Sequence, residues 1–458
     1  MGKDGLNGET GMKRNLTEGN VAKALLLFAG PMILGNMLQQ VYNIADTLIV
    51  GRVLGEEALA AVGSAYTLMT FLTSVIIGLC MGSGAAFSYY FGKKDMGKMQ
   101  NSMCIAFCLI GGTAVLLNGA VVCFSQGILR LLQIPDGLMP MMEEYTGTVY
   151  MGLFFVFLYN YFAYLLRAVG NSVVPLCFLG STALLNVGLD LLFVAEYGWG
   201  VRGAALATVI SQAVSGVGIA LYTWFREPGL RPVRSALRFS GGAVLEVLHF
   251  SLTASVQQSV MNFGILMVQG LVNSFGAVVM AAFAAGVKID TLAYMPAQEF
   301  GNAFSLFISQ NYGAGKKDRV RQGMKEAVRI SMLFCIMISV IVFVCAKPLI
   351  MLFVKNPSAG IIGTGASYLR IEGAFYCGIG ILFLLYGYYR GINRPEMSLI
   401  LTVISLGTRV LLAYCLAPLP VIGVRGIWWA IPAGWLLADM VGIGYIVKRK
   451  RTEKGGVI

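Results

Sequence analysis

The chain contains itself twice. Gly200-Val201-Arg202-Gly203 returns as Gly423-Val424-Arg425-Gly426, Lys93-Lys94-Asp95 returns as Lys316-Lys317-Asp318, and Arg167 with Asn171 returns as Arg390 with Asn393, an offset of about 223 residues. A period this long joins two large, similar halves and does not stack small units as a solenoid does. Each half must bury the same faces, so a residue whose partner differs in kind marks a place where the halves diverge. The offset carries Asp190, in the middle of an apolar run, onto Ala413, and Arg409 onto Asn186. The partner of Asp46 is Gly264 or Met267, depending on where a short gap is placed.

Composition supplies the solvent. With 57% hydrophobic and 12% charged residues and a mean hydropathy of +0.74, the sequence is far more apolar than soluble cores require. Runs long enough to cross a hydrocarbon core stand at about 24–51, 58–91, 101–124, 144–166, 172–195, 201–224, 246–274, 277–312, 327–346, 367–389, 397–417 and 424–447. The expected fold is therefore an all-α integral membrane protein with twelve transmembrane helices in two pseudo-symmetric six-helix bundles. These occupy residues 21–225 and 246–447, with a polar cytoplasmic N-terminus (1–20), a cytoplasmic linker (226–245) and a basic cytoplasmic tail (448–458).

Orientation follows from the basic residues. With the N-terminus inside, about 25 of the 34 Lys and Arg fall in inner segments, among them Arg226, Arg231, Arg234, Arg238 and the tail from Lys448. A net charge of +12 spread over inner loops suits anionic lipid headgroups and not nucleic acid, for which no aromatic-interleaved domain is present. Residues 1–20 lack the apolar core of a signal peptide, so the first helix is expected to act as an uncleaved insertion signal in a bacterial cytoplasmic (inner) membrane. Nine Cys without metal-ligand spacing read as packing residues, and the single His249 as an interfacial side chain.

Asp46 lies about six residues before Arg52, and Asp190 about six before Glu196, each pair marking the outer end of a run. At 1.5 Å per residue both acids sit about 9 Å below that boundary, and Thr208 reaches a similar level from the sixth run. Asn186 and Asp190 share a helical face, as do Gln39, Tyr42, Asn43 and Asp46. The first six runs carry Lys and Arg only at their ends. An intramembrane carboxylate with no basic partner must protonate, bind a cation or face water, and two such acids together titrate as a coupled pair. The bland reading is an interfacial cap for Asp46 and a structural hydrogen bond for Asp190. The oxygens of Asp46, Asn186, Asp190 and Thr208 suit H⁺ and Na⁺ alike.

The second half mixes signs. Lys288 and Asp290 lie in the eighth run and Arg409 in the eleventh, so ion pairing is the expected reading; Glu299 lies one turn beyond Pro296. Gln257-Gln258 echoes Gln39-Gln40, and amides at matching depths fit a polar path or helix–helix hydrogen bonds.

These residues resemble the multidrug and toxic compound extrusion (MATE) family, and within it most the bacterial DNA-damage-inducible-protein F (DinF) branch. The resemblance rests on Pro31, Asp46-Thr47 through Gly51 and Gly55 to Ala60-Ala61, Leu185-Asn186 to Asp190, Gly203-Ala204-Ala205 to Thr208, and Gln310-Asn311-Tyr312-Gly313-Ala314-Gly315, over about Thr17 to Lys450. It implies the MATE/MOP flippase fold with alternating access, and efflux of amphipathic, mostly cationic compounds by a secondary active antiporter in exchange for H⁺ or Na⁺. It further implies cation coupling, with Na⁺ as one candidate, at Asp46, Asn186, Asp190 and Thr208. Gln39 and Tyr42 match positions lining a drug cavity, to which Asn43, Gln257 and Glu299 are added as candidates from their placement. Some relatives hold a second sodium site in the other bundle, where Met261, Phe375 and Ile379 stand here, so coupling is expected in the first bundle.

The expected partners are small-molecule drugs or toxins and the lipid bilayer, with no cofactor beyond the coupling ion and no nucleic acid. A duplicated chain carries its own pseudo-dimer, and a monomer is expected. The alternative cargo is a lipid-linked sugar or peptidoglycan precursor, whose pyrophosphate calls for basic residues that the first half lacks. A membrane enzyme would need clustered His or metal-spaced carboxylates, and an ATP-driven pump a P-loop; neither pattern is present.

Overall fold

The computed structural model describes residues 15–131, 138–233, 240–354 and 357–455. Most of the expected N-terminal tail, the linker stretch holding Arg234 and Arg238, and the last three residues of the basic tail lie outside the described residues. Every regular element among the described residues is a helix: α1 (Val21–Val53), α2 (Glu56–Gly92), α3 (Met96–Leu131), α4 (Met139–Val149), α5 (Leu153–Ala168), α6 (Val173–Asp190), α7 (Gly200–Arg226), α8 (Gly241–Asn273), α9 (Ala277–Gly313), α10 (Lys317–Val344), α11 (Ala346–Phe353), α12 (Ala359–Gly373), α13 (Tyr376–Gly391), α14 (Pro395–Leu416) and α15 (Arg425–Gly455), with short 3₁₀ and π segments between some of them.

Ten of the described helical stretches are long and apolar enough to cross a membrane. One of them joins α4 to α5 through a 3₁₀ turn at Tyr150–Gly152, and another extends α6 through Glu196. The pair α12 and α13, bent by 51° at their break, makes an eleventh. The remaining expected run is α8, whose 33 residues reach across but whose Glu246, His249, Gln257, Gln258 and Asn262 dilute its apolarity. The short helix α11 was not expected from the hydropathy pattern.

The duplication is visible in the backbone. Left-handed residues recur in register as Gly55 and Gly276, Gly170 and Asn393, and Gly200 and Gly423. Asn393, at φ +61°, thus aligns with Gly170 and not, as the sequence pairing has it, with Asn171; its short polar side chain tolerates the left-handed position.

The helices gather into two compact units. The first holds Leu26–Ser255 with Gly313–Gly315; the second holds Val256–Tyr312 and the residues from Lys316 onward, with Asn20–Leu25. The division falls inside α8. Within the first unit, α2 meets the first half of α8 backbone to backbone: a Cβ on Gly82 would lie 2.2 Å from the Phe250 carbonyl oxygen. The Ser83 and Ser251 hydroxyls bond across this contact at 2.7 Å. Within the second unit α9 and α13 do the same, since a Cβ on Gly387 would lie 2.4 Å from the Gly301 oxygen. Small residues at such crossings supply the packing that lipid does not drive.

Candidate functional site

Two parallel helices bring the first acids together. A Cβ on Gly35 of α1 would touch Leu179 and Leu176 of α6 at 3.5 and 3.6 Å, and one on Gly180 of α6 would touch Leu38 at 3.7 Å. Both helices advance in step from there, and the register that pairs residue 35 with 179 pairs 46 with 190. The Asp46 and Asp190 carboxyls accordingly lie within hydrogen-bonding reach of each other. Gln39 and Tyr42 fall on the same stripe of α1 between the two contacts, Gln39 exposed and Tyr42 half-buried; Asn43, also half-buried, adjoins it.

The third helix arrives by a sharp turn. After Asp190 the chain widens into π geometry over Leu191–Glu196, then reverses through left-handed Gly198 and Gly200. Phe193 stacks on Trp199 with ring centroids 4.8 Å apart, and Gly203 of α7 packs against the Phe193 carbonyl, 3.1 Å from its would-be Cβ. Counting along both helices from that contact, Thr208 and Asp190 differ in level by about 3 Å. The Thr208 hydroxyl donates to the Ala204 carbonyl at 3.1 Å, which leaves its oxygen free to accept or ligate.

The site is buried and under-bonded. Asp190 is fully buried and Asn186 nearly so. Both Asp190 oxygens, Asp46 Oδ1, and Oδ1 and Nδ2 of Asn186 are buried with no hydrogen-bonding partner in the protein. Two facing carboxylates have no proton to give each other, so one proton held between them, or one small cation, completes the arrangement. A π segment within a helix is a frequent companion of functional sites.

The second unit pairs Asp290, named from the sequence, with an acid that was not, Glu372. Gly286 of α9 leaves room for the Tyr368 ring, whose Cδ1 would lie 2.5 Å from a Cβ there, and one turn on stands Asp290. Its Oδ1 accepts from Tyr376 at 2.6 Å and its Oδ2 from Tyr368 at 3.4 Å, one hydroxyl from each side of the α12–α13 bend. Glu372, at that bend, lies within hydrogen-bonding reach of Asp290, and Arg409 of α14 faces both. Asp290, Tyr368, Glu372 and Arg409 line a cavity of about 70 Å³ that also touches Ile379 and Trp435.

The structure modifies the ion-pairing expectation: Arg409 lines the same cavity as Asp290 and Glu372 and is their counter-charge, without a direct ion pair. Lys288 is exposed and takes no part, and among the described residues no ion pair joins Arg409 to Asp290. Nor do Met261, Phe375 and Ile379 leave this bundle without an acidic centre, because Glu372 supplies the second carboxyl. A spacing of four between Tyr368 and Glu372, on one helical face, was the available signal. Asp439 of α15, 5% exposed and with neither oxygen bonded, was also missed; it lies against Gly378 of α13.

Gln257 is buried and lines a second, smaller cavity with Gln258, Gln298, Asn302, Phe383 and Arg390. Glu299 stands beside it, accepting from Asn302 at 3.2 Å, while Asn302 accepts from Arg390 at 3.5 Å. Gln257 and Glu299 belong to the second unit, whereas Gln39, Tyr42 and Asn43 belong to the first.

Comparison with known proteins places the duplicated fold. A family model described as MatE matches residues 31–192 and 253–415, once per half. The chain is 30% identical over 391 residues to the probable multidrug resistance protein YpnP of Bacillus subtilis, covering 85% of this chain and 87% of the relative. It is 25% identical over 444 residues to the probable multidrug resistance protein NorM of Thermotoga maritima, covering 96% and 94%. Among solved structures, a crystal structure of MATE in complex with MaL6 superposes with a TM-score of 0.90 at 24% identity, covering 96% of this chain and 98% of the other.

Proposed function

We propose, for a chain that belongs to the MatE (multidrug and toxic compound extrusion) family of membrane transporters, secondary active efflux of amphipathic, mostly cationic compounds in exchange for H⁺ or Na⁺ by alternating access. The observation that carries this reading is the pairing of half-buried Asp46 with fully buried Asp190 beside Asn186, on helices whose Lys and Arg stand only near their ends. The names of the relatives, probable multidrug resistance proteins among them, support the cargo class.

In this mechanism an ion from outside binds between Asp46 and Asp190, with Asn186 and Thr208 as further ligands. It thereby weakens the hold on a substrate resting along Gln39, Tyr42 and Asn43. Competition or a local rearrangement of α1 at Pro31 suffices for coupling, because a ligand shifts an equilibrium by its differential affinity for the two states. Gln257 and Glu299 extend the substrate path in the second bundle. The distribution of Lys and Arg supports both termini facing the cytoplasm in a bacterial inner membrane, and the internal duplication supports the monomer as the working unit.

The test is efflux of a fluorescent cationic dye from proteoliposomes under separately imposed proton and sodium gradients. One gradient drives export by the native protein, and neither does in a folded Asp46→Asn variant. Export that persists undiminished in the variant would sink the assignment.

A further inference from the structure

The acid cluster of the second unit holds its own counter-charge. Asp290 has both oxygens engaged by tyrosine hydroxyls, whereas Glu372, 1% exposed, turns into the cavity with Oε1 buried and unbonded. Arg409 lines the same cavity. Its guanidinium lies over the Trp435 ring, 6.0 Å from the centroid, and its buried Nε has no hydrogen-bonding partner. Gly434 makes this possible: a Cβ there would lie 2.3 Å from the Ser405 carbonyl oxygen, so α14 and α15 touch along their backbones and Trp435 comes beneath Arg409.

The repeat shows what this replaces. Arg409 occupies the position that Asn186 occupies in the other half. Each unit thus sets two carboxyls together, but the first places a neutral amide at this position and the second a guanidinium. A guanidinium is charged at every accessible pH and is only weakly hydrated, which fits it to stand permanently among buried acids.

We infer that Arg409 is a tethered cation that takes the place of a free one: it balances the Asp290–Glu372 site, keeps Na⁺ out of that cavity and reserves ion exchange for the first unit. One proton shared between the two carboxyls balances the remaining charge. A sodium ion entering the cavity meets a fixed positive charge in surroundings that screen it poorly. Only the last clause, on exchange, rests on the proposed transport; exclusion of sodium is a property of the resting protein.

The experiment measures ²²Na⁺ binding, and the dependence of Tm on Na⁺, for the purified full-length chain. Arg409→Gln is expected to bind about one more Na⁺ per chain than the native protein, with a Tm that climbs as Na⁺ is added. The gain disappears in Arg409→Gln/Glu372→Gln, and Arg409→Lys, which keeps the charge, shows none. Glu372→Gln alone leaves the Na⁺ binding of the native protein unchanged. A folded Arg409→Gln that binds no more Na⁺ than the native protein overturns the inference. So does a loss of native Na⁺ binding in Glu372→Gln, an arm that leaves Arg409 in place and decides the point even where Arg409→Gln does not fold. Transport by Asp190→Asn bears on the functional reading alone and leaves these outcomes untouched.

Discussion

In the first unit Asp46 and Asp190 meet across two parallel helices, with Asn186 one turn from Asp190 and, among the described residues, no hydrogen-bond donor on Asp46 Oδ1 or on either Asp190 oxygen. In the second, Asp290 and Glu372 meet between two tyrosine hydroxyls and opposite Arg409. A duplicated scaffold can therefore keep the device of paired buried carboxyls while one exchange, amide for guanidinium, changes what the pair accepts. Unbonded oxygens leave the first pair open to a mobile ion. Hydroxyl donors and a fixed cation commit the second to holding the α12–α13 bend together.

The comparison breaks most directly at the acids. Asp190→Asn is expected to reduce gradient-driven dye efflux about 5–150-fold, the span of ordinary coupling free energies, while Tyr376→Phe spares efflux at matched protein levels. Equal losses in both variants would show that the units share the coupling. The second effect falls on stability. Tyr376→Phe removes the 2.6 Å bond to Asp290 and is expected to cost about 1.5–3 kcal/mol, read as a lower Tm in detergent.

A third contrast sharpens the packing side. Gly286→Ala drives a methyl group to 2.5 Å from Tyr368 Cδ1 and is expected to cost about 1–3 kcal/mol, with the Tyr368 hydroxyl drawn off Asp290. The smallest effect is the control in the first unit. A Cβ on Gly112 of α3 meets nothing within 4 Å, so Gly112→Ala is expected to stabilise by about 0.5–1 kcal/mol through helix propensity. A Tm for Gly112→Ala as low as that of Gly286→Ala would discard the steric account.

Much of this was legible in the residues, for reasons that differ by element. Apolar runs fix helix positions because a bilayer demands length and internal hydrogen bonding, and α1, α2 and α14 follow their runs within a few residues. Asp46 and Asp190 stood out because each is an acid within an apolar run and no base accompanies it. Glu372 did not, since Arg370 and Tyr368 beside it read as the polar end of a span. The bend that makes it interior lies at Gly373–Tyr376, where no proline announces it. The π segment after Asp190 leaves no trace in hydropathy either, because it changes winding and not composition. Arg409 and Asp290 were visible as opposite charges, but the distance between their side chains is set by the Gly434 and Gly286 contacts, which no periodicity reveals.

In the proposed mechanism the first acid pair exchanges a mobile ion against substrate. The most direct measurement is the release of ions on binding of a cationic dye to the purified protein, followed with a pH indicator in weak buffer and with ²²Na⁺, for the native chain and for Asp46→Asn and Asp190→Asn. Dye is expected to displace an ion from the native protein and none from either variant, although both still bind dye. Displacement of the same size in the variants would contradict this mechanism, and would move the exchange away from Asp46 and Asp190.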